Sequence, residues 1–296
     1  MQNAMIRYSD ALVNSRKRKM RRTAVKRSFH YLLLAVIAVT LMFPFFVMVT
    51  RSFMKIDDIY AARIFPTHWT LGNYSAVLMG HDYFKYAFNT LKVVVFNVLA
   101  VPLSAALCAY SFAKLKWKGR EFAFAAVLAT IMIPGTVVQI PLYVLFFDLG
   151  WLGTLLPLTI PSLFGGGAIN IFLIRQFMRG IPKEMDEAAI IDGASIMRRF
   201  FKIVLPLCGP ILIYVAVGAF SASWSDFFGP LVYLTGYHDK YTLAVAIYED
   251  SVLNSVLETS NLKMAAGVFM SVFPLLLFAL YQRKLVDGIM IGAVKG

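Results

Sequence analysis

The sequence predicts an all-α polytopic membrane protein, with six transmembrane helices and one amphipathic protrusion between the fourth and the fifth. Three observations carry this. Hydrophobic residues make up 59% of the 296 and charged residues only 15%, where a soluble domain of this size carries about a quarter charged residues. The apolar residues fall in runs of about twenty, the length that crosses a bilayer core. Lys and Arg concentrate between alternate runs, as positive-inside bias requires. The net charge of +13 belongs to that bias. A nucleic-acid surface is not expected, because the basic residues flank the apolar runs and lack interleaved aromatics. No polar stretch is long enough for a second core, so residues 1–30 read as a basic tail and 31–296 as one transmembrane domain. Cys108 and Cys208 fall in or near apolar runs and read as packing residues, not a disulfide.

Taken in order, the tail holds nine Lys or Arg between Arg7 and Arg27, a topology signal that also suits contact with anionic lipid. Tyr31–Thr50 is the first span; it lacks the short apolar region and small-residue cleavage site of a removed signal peptide, so it is expected to be retained. Arg51–Tyr86 has four Lys or Arg in a long aromatic stretch and reads as an outer loop. Ala87–Ala113 is the second span, with Lys92 near its outer end, where it can snorkel. Lys114–Arg120 has four basic residues and no acid, hence an inner loop. Phe122–Phe147 is the third span, interrupted by Pro134, Gly135 and Pro141 with Gln139 between them. Proline removes a helix hydrogen bond, and broken backbone at membrane depth survives only when buried in protein or lining a wet cavity.

Asp148–Leu155 is a short outer loop. Leu156–Ile174 is the fourth span, with Pro161, the triplet Gly165–Gly167 and Asn170; the glycines serve either close helix packing or a bend along a pathway. Arg175–Pro206 is an inner segment. Leu207–Leu234 is the fifth span, with Ser221, Ser223, Trp224, Ser225 and Asp226 in its outer half. Thr235–Lys263 is outer, Met264–Tyr281 is the sixth span, and Gln282–Gly296 returns to the inner side behind Arg283 and Lys284. Both termini are therefore expected in the cytoplasm.

The stretch from Glu187 to Pro206 reads EAAIIDGASIMRRFFKIVLP. Glu187, Ala188 and Ala189 are followed after three residues by Gly193, and after nine more by Ile203, Leu205 and Pro206. An amphipathic segment broken once at glycine is shaped to dock into a groove on a soluble partner. This spacing resembles the coupling loop of ABC-importer permeases, with every fixed position present. IPKEMDEAAIIDGAS, SWSDFFGPLVYL and the C-terminal GIMIGAVKG resemble the second permease of carbohydrate importers of the maltose and glycerol-phosphate type, and FPTHWTLGNY (65–74) resembles the segment after that family's first helix.

The resemblance implies a type I importer permease fold in a bacterial cytoplasmic membrane. It implies a homologous companion permease in a heterodimer, two ATPase subunits, an extracytoplasmic solute-binding protein and a sugar cargo moved by alternating access. It assigns Glu187 to polar contacts with the ATPase, Ala188 and Ala189 to close seating of the short helix, and Gly193 to the turn. Ile203, Leu205 and Pro206 anchor the return to the membrane. Asp192, Arg198 and Arg199 read either as secondary contacts or as a solvated face.

The residues themselves exclude several chemistries. No G-x-x-x-x-G-K-[ST] loop is present, so ATP and Mg must be held by the partner ATPase, with no cofactor in this chain. No G-x-S-x-G elbow or H-E-x-x-H helix occurs, and the four histidines are isolated, so neither an enzyme nor a metal site is expected. Within the spans only Asp226 and Lys92 are ionisable, which argues against an ion-coupled carrier. A permease for a non-sugar solute shares the same loop and stays open. For a sugar path, Gln139, Asn170, Ser223, Trp224 and Asp226 combine hydrogen-bonding groups with an aromatic face on broken spans. Trp224 equally suits an aromatic belt.

Overall fold

Each predicted apolar run is helical; the third breaks at Ile133 and Pro134 as expected, but not at Pro141, which lies inside a continuous helix because its neighbours keep the turn. The computed structural model describes the backbone of residues 2–80, 82–253 and 260–293, and the side chains of 26–79, 82–250 and 260–281. Helix α1 (Gln2–Ser52) carries the first span and passes residue 30 unbroken, so tail and bundle differ there in composition only. α2 (Ile56–Tyr60) and α3 (Gly72–Ser75) fold the next loop. α4 (Tyr83–Lys114) is the second span. α5 (Arg120–Ala129) and α6 (Gly135–Asp148) make the third, and α7 (Leu156–Thr159) and α8 (Ala168–Arg179) the fourth. α9 (Lys183–Ile191), α10 (Ile196–Arg199) and α11 (Leu205–Leu207) form the protrusion. α12 (Gly209–Trp224) and α13 (Phe228–Leu234) make the fifth span; α14 (Leu243–Leu253) precedes α15 (Ser260–Ala293), the sixth. The basic residues before Lys26, together with Arg283, Lys284 and GIMIGAVKG, lie outside the residues whose side chains are described.

Four helical stretches are each long and apolar enough to cross a membrane: Lys26–Ser52, Tyr83–Lys114, Leu156–Arg179 and Ser260–Tyr281. Two bent pairs bring the count to as many as six if each pair is one span. Arg120–Met132 and Gly135–Asp148 meet at 100°, at Ile133 and Pro134; Ile196–Leu207 and Gly209–Trp224 meet at 80°. The fifth span differs from its prediction. Helix α12 has 16 residues, about 24 Å at 1.5 Å per residue, short of a bilayer core of about 30 Å. It stops at Ser225, and α13 continues after Asp226, whose carboxylate accepts the Gly229 amide at 3.1 Å. A side chain that satisfies a helix's first amides competes with helix continuation, and this one restarts the chain in a new direction.

Helix α4 is the axis of the bundle. Its Ala105, Ala106 and Ala109 are fully buried, and small side chains let α8 and α12 pack close to its backbone. The break in the fourth span is supplied with hydrogen bonds from α4. Asn97 Nδ2 donates to the Leu158 carbonyl at 3.0 Å and Ser104 Oγ to the Ser162 carbonyl at 2.7 Å. These satisfy carbonyls in the stretch around Pro161, a requirement for irregular backbone at membrane depth. At the following triplet, a Cβ on Gly166 would lie 2.4 Å from the Val101 carbonyl oxygen, and its φ of +62° is left-handed. The triplet therefore serves close packing and a bend together.

The loop after α1 is a folded cap. Asn73 Nδ2 donates to the Ser52 and Met54 carbonyls, each at 2.8 Å, and Asn261 on α15 donates to Asn73 Oδ1 at 2.9 Å. The Thr67 hydroxyl and its amide both donate to Asp58 and hold that carboxyl below the usual range.

Candidate functional site

The site is the elbow made by α9, α10 and α11. Helix α9 carries Glu184 and Asp186 in its first turn, where the helix dipole favours acids. It ends in a Schellman turn: the Ala194 amide donates to Ala189 O at 2.9 Å and the Gly193 amide to Ile190 O at 3.0 Å. That turn needs a left-handed residue, and Gly193 has φ +71°. The chain restarts at once, with Ser195 Oγ accepting the Arg198 amide and capping α10. The predicted helix–glycine–helix is present.

Gly193 gives a graded prediction. Open space surrounds its Cβ position, so only the backbone conformation resists substitution, at about 1–2 kcal/mol. Gly193→Val should let the protein reach the membrane at wild-type abundance yet lower uptake several-fold, and Gly193→Ala should lower it less. Immunoblots of membranes beside uptake rates measure both; wild-type uptake in Gly193→Val would remove the turn from the mechanism.

The motif residues divide between two faces. Glu187 and Ala188 are exposed, and so is Asp192. Ala189 is 6% exposed and faces the bundle, so it seats the elbow on its own chain rather than on a partner; together with Asp186 it makes an i, i+3 inward pair. The outward surface also contains residues that the motif did not single out: Ile190, Met197 and above all Ile191, which is 85% exposed. Exposed aliphatic side chains beside a charged residue mark an interaction patch. Their sequence signal was Ile191 at i+4 from Glu187.

The return to the membrane is held by other residues than expected. Ile203 and Leu205 are half-buried and Pro206 is exposed, whereas Phe200, Val204 and Cys208 are fully buried. Their i, i+4, i+8 spacing was legible as a helical face. Pro206 acts on the backbone instead. Its ring and missing N–H disfavour a regular turn before it, and Phe200–Val204 widens into a π turn.

Above the elbow, Arg175 joins three spans. Its guanidinium lies 3.0 Å from Glu121 Oε2 and 3.8 Å over the Phe124 ring, and Nε donates to the Phe112 carbonyl at 3.3 Å. Lys114, at the end of α4, grips α9 through Asp186 at 2.8 Å and the turn before it through the Ile181 carbonyl at 3.2 Å. Neither connection was foreseen, because each pairs residues far apart in the chain.

The candidate path residues are mostly committed within the chain. Asn170 Nδ2 donates to Gly166 O at 2.7 Å, Ser223 Oγ accepts Asn97 Nδ2 at 2.9 Å, and Asp226 caps α13. Trp224 is 3% exposed, stacked on Phe220, with its indole N–H donating to Met270 O at 3.0 Å. The aromatic face expected along a path is turned into the core instead, because α15 supplies the one acceptor that the indole needs. Gln139, half-buried on α6, makes no hydrogen bond within the described residues.

This arrangement has known counterparts. Residues 100–290 match the family described as the binding-protein-dependent transport system inner membrane component. The chain belongs to this family. The permease is 32% identical over 279 residues to the galactooligosaccharides transport system permease protein GanQ of Bacillus subtilis, covering 93% of this chain and 98% of that one. It is 31% identical over 268 residues to the arabinooligosaccharides transport system permease protein AraQ of Halalkalibacterium halodurans, covering 88% and 94%. Among solved structures, a chain of a bacterial ABC transporter involved in the import of the polysaccharide alginate superposes with a TM-score of 0.76 at 22% identity, over 86% of the permease and 94% of that chain. The permease is thus a multi-pass inner-membrane transport component and not an enzyme, with the ATPase a separate subunit.

Proposed function

We propose that this permease is one half of the pore of an ATP-driven oligosaccharide importer, with both termini in the cytoplasm and the elbow docked on an ATPase. The observation that carries the reading is the elbow itself: a capped helix–glycine–helix whose exposed face offers Glu187, Ala188 and Ile191 while Asp186 and Ala189 bind it to the bundle. A force applied there passes through α9 into α4. ATP-driven closure of two ATPase subunits, with Mg in their sites, pushes the elbows and opens the cavity outward; hydrolysis restores the inward state.

A companion permease is supported by the third span. The break at Ile133 and Pro134 is exposed, with Met132 at 85% and Ile133 at 52%. Broken backbone at membrane depth requires a protein neighbour or a wet cavity, and the described residues leave Met132 and Ile133 uncovered. Gln139 lies one turn beyond that break, so it is the candidate here best placed to meet cargo, at the boundary of the two subunits. The sugar class rests on relatives named for galactooligosaccharide and arabinooligosaccharide transport. Delivery by a soluble binding protein rests on the family and on a similar structure described in complex with an alginate pentasaccharide-bound periplasmic protein.

The test is reconstitution of the permease with its companion, ATPase and binding protein in liposomes, with a panel of labelled oligosaccharides and non-sugar solutes. ATP-dependent uptake of an oligosaccharide is expected. Uphill transport by this chain alone, driven by an ion gradient, would overturn the proposal, and uptake of only a non-sugar solute would overturn the cargo class.

A further inference from the structure

Beneath the elbow lies a buried polar cluster that docking to an ATPase does not explain. Asp186 and Lys114 pair at 2.8 Å with side chains 14% and 8% exposed. This pair uses only one carboxylate oxygen. The other, Oδ1, is buried without a hydrogen-bond partner, and so are Arg199 Nε and the Tyr110 hydroxyl. Tyr110 lies one turn before Lys114 on α4, and its ring packs 5.2 Å from that of Phe200, the chain neighbour of Arg199, so the three unpartnered atoms border one region. An acceptor and two donors that are buried, adjacent and unmatched are costly to leave so. Such groups call for a specific explanation, a strain reservoir among them.

The two cations sit on different parts. Lys114 ends α4, the axis of the bundle, while Arg199 ends α10, the second arm of the elbow. Between Asp186 and Arg199 lies the Gly193 turn, whose Cβ position has nothing within 4 Å. We propose that Asp186 is a two-position latch: Lys114 holds it in the conformation described here, and Arg199 takes it, with Tyr110 as the intermediate hydrogen-bond donor, when the elbow moves. The exchange keeps the buried carboxylate paired in both states, and the Ile181 carbonyl, 3.2 Å from Lys114 Nζ, stays with the cation that gives it up. A packed element with two discrete arrangements is what converts a small push into a concerted shift. This rests on the reading of the elbow as the part that receives force.

The test uses the complete transporter with spin labels at exposed Glu184 on α9 and exposed Phe122 on α5, in a Cys108→Ser, Cys208→Ser background. The pair reports the elbow-to-bundle distance as two populations. Lys114→Met is expected to shift their ratio about fivefold towards the other conformation, and Arg199→Gln about fivefold towards the present one, the size expected for one modest interaction. Arg199→Lys should restore most of the balance. Shifts in the same direction, or none with Arg199→Gln, overturn the latch. Should Lys114→Met fail to assemble because it strands Asp186, Arg199→Gln decides alone. Failure of the docking reading looks different: ATPase association would survive Glu187→Lys, while opposite shifts in the two latch variants would still be seen.

Discussion

Gly166→Ala is expected to leave little assembled permease in the membrane. The added methyl carbon would sit 2.4 Å from the Val101 carbonyl oxygen and 3.1 Å from Ser104 Oγ. The first of these is backbone and cannot rotate away. The Ser104 hydroxyl is committed to the Ser162 carbonyl at 2.7 Å, so yielding there exposes a carbonyl at membrane depth. Overpacking costs about 1–3 kcal/mol and the left-handed φ about 1–2 kcal/mol more, a large part of a typical margin of about 5–15 kcal/mol. The melting temperature of the purified transporter should fall by several degrees and its yield by more than half. Gly165→Ala, whose nearest contact is the Ile171 side-chain methyl at 3.3 Å, should be milder. Equal stability of Gly166→Ala and the wild type would mean that the fourth span does not bend against α4 as described.

Glu187→Lys is the variant expected to cost most in uptake at unchanged abundance. Glu187 is exposed and makes no ion pair among the described residues, so its replacement should leave the fold intact. At a docking surface the same change replaces attraction by like-charge repulsion, worth several kcal/mol when the contact is desolvated. Uptake should fall at least about tenfold, which corresponds to about 1.4 kcal/mol, and co-purification of the ATPase should weaken. Lowering ionic strength should widen the difference, because exposed charges are screened by salt. Normal ATPase association together with normal uptake would exclude Glu187 from docking. Ile191→Ser should weaken association as well, and with little dependence on salt, since it removes apolar area without adding charge.

The spans were legible because a bilayer demands length and hydropathy, and both are properties of a contiguous stretch. Broken positions were legible for the same reason: Pro134 with Gly135, and the Gly165–Gly167 triplet, announce themselves locally. The elbow's turn followed from Gly193. The direction of each face was not. Ala188 and Ala189 are identical neighbours in a motif, yet one is exposed and the other buried against the bundle. Trp224 and Asn170 look like path residues in sequence and turn out to be satisfied by Met270 and Gly166.

By itself the sequence determined the apolar stretches, the breaks at Pro134 and at the Gly165–Gly167 triplet, and the helix–glycine–helix segment between the fourth and fifth runs. Hydropathy, proline geometry and glycine's access to left-handed backbone act over a few residues and need no partner. The tertiary structure alone decided that Asn97 and Ser104 repair the broken fourth span, that Arg175 clamps Glu121, and that Lys114 holds Asp186. Those are meetings of groups 54 to 72 positions apart in the chain. A buried polar atom takes whichever partner the packing brings within about 3 Å, and no local pattern encodes which one that will be.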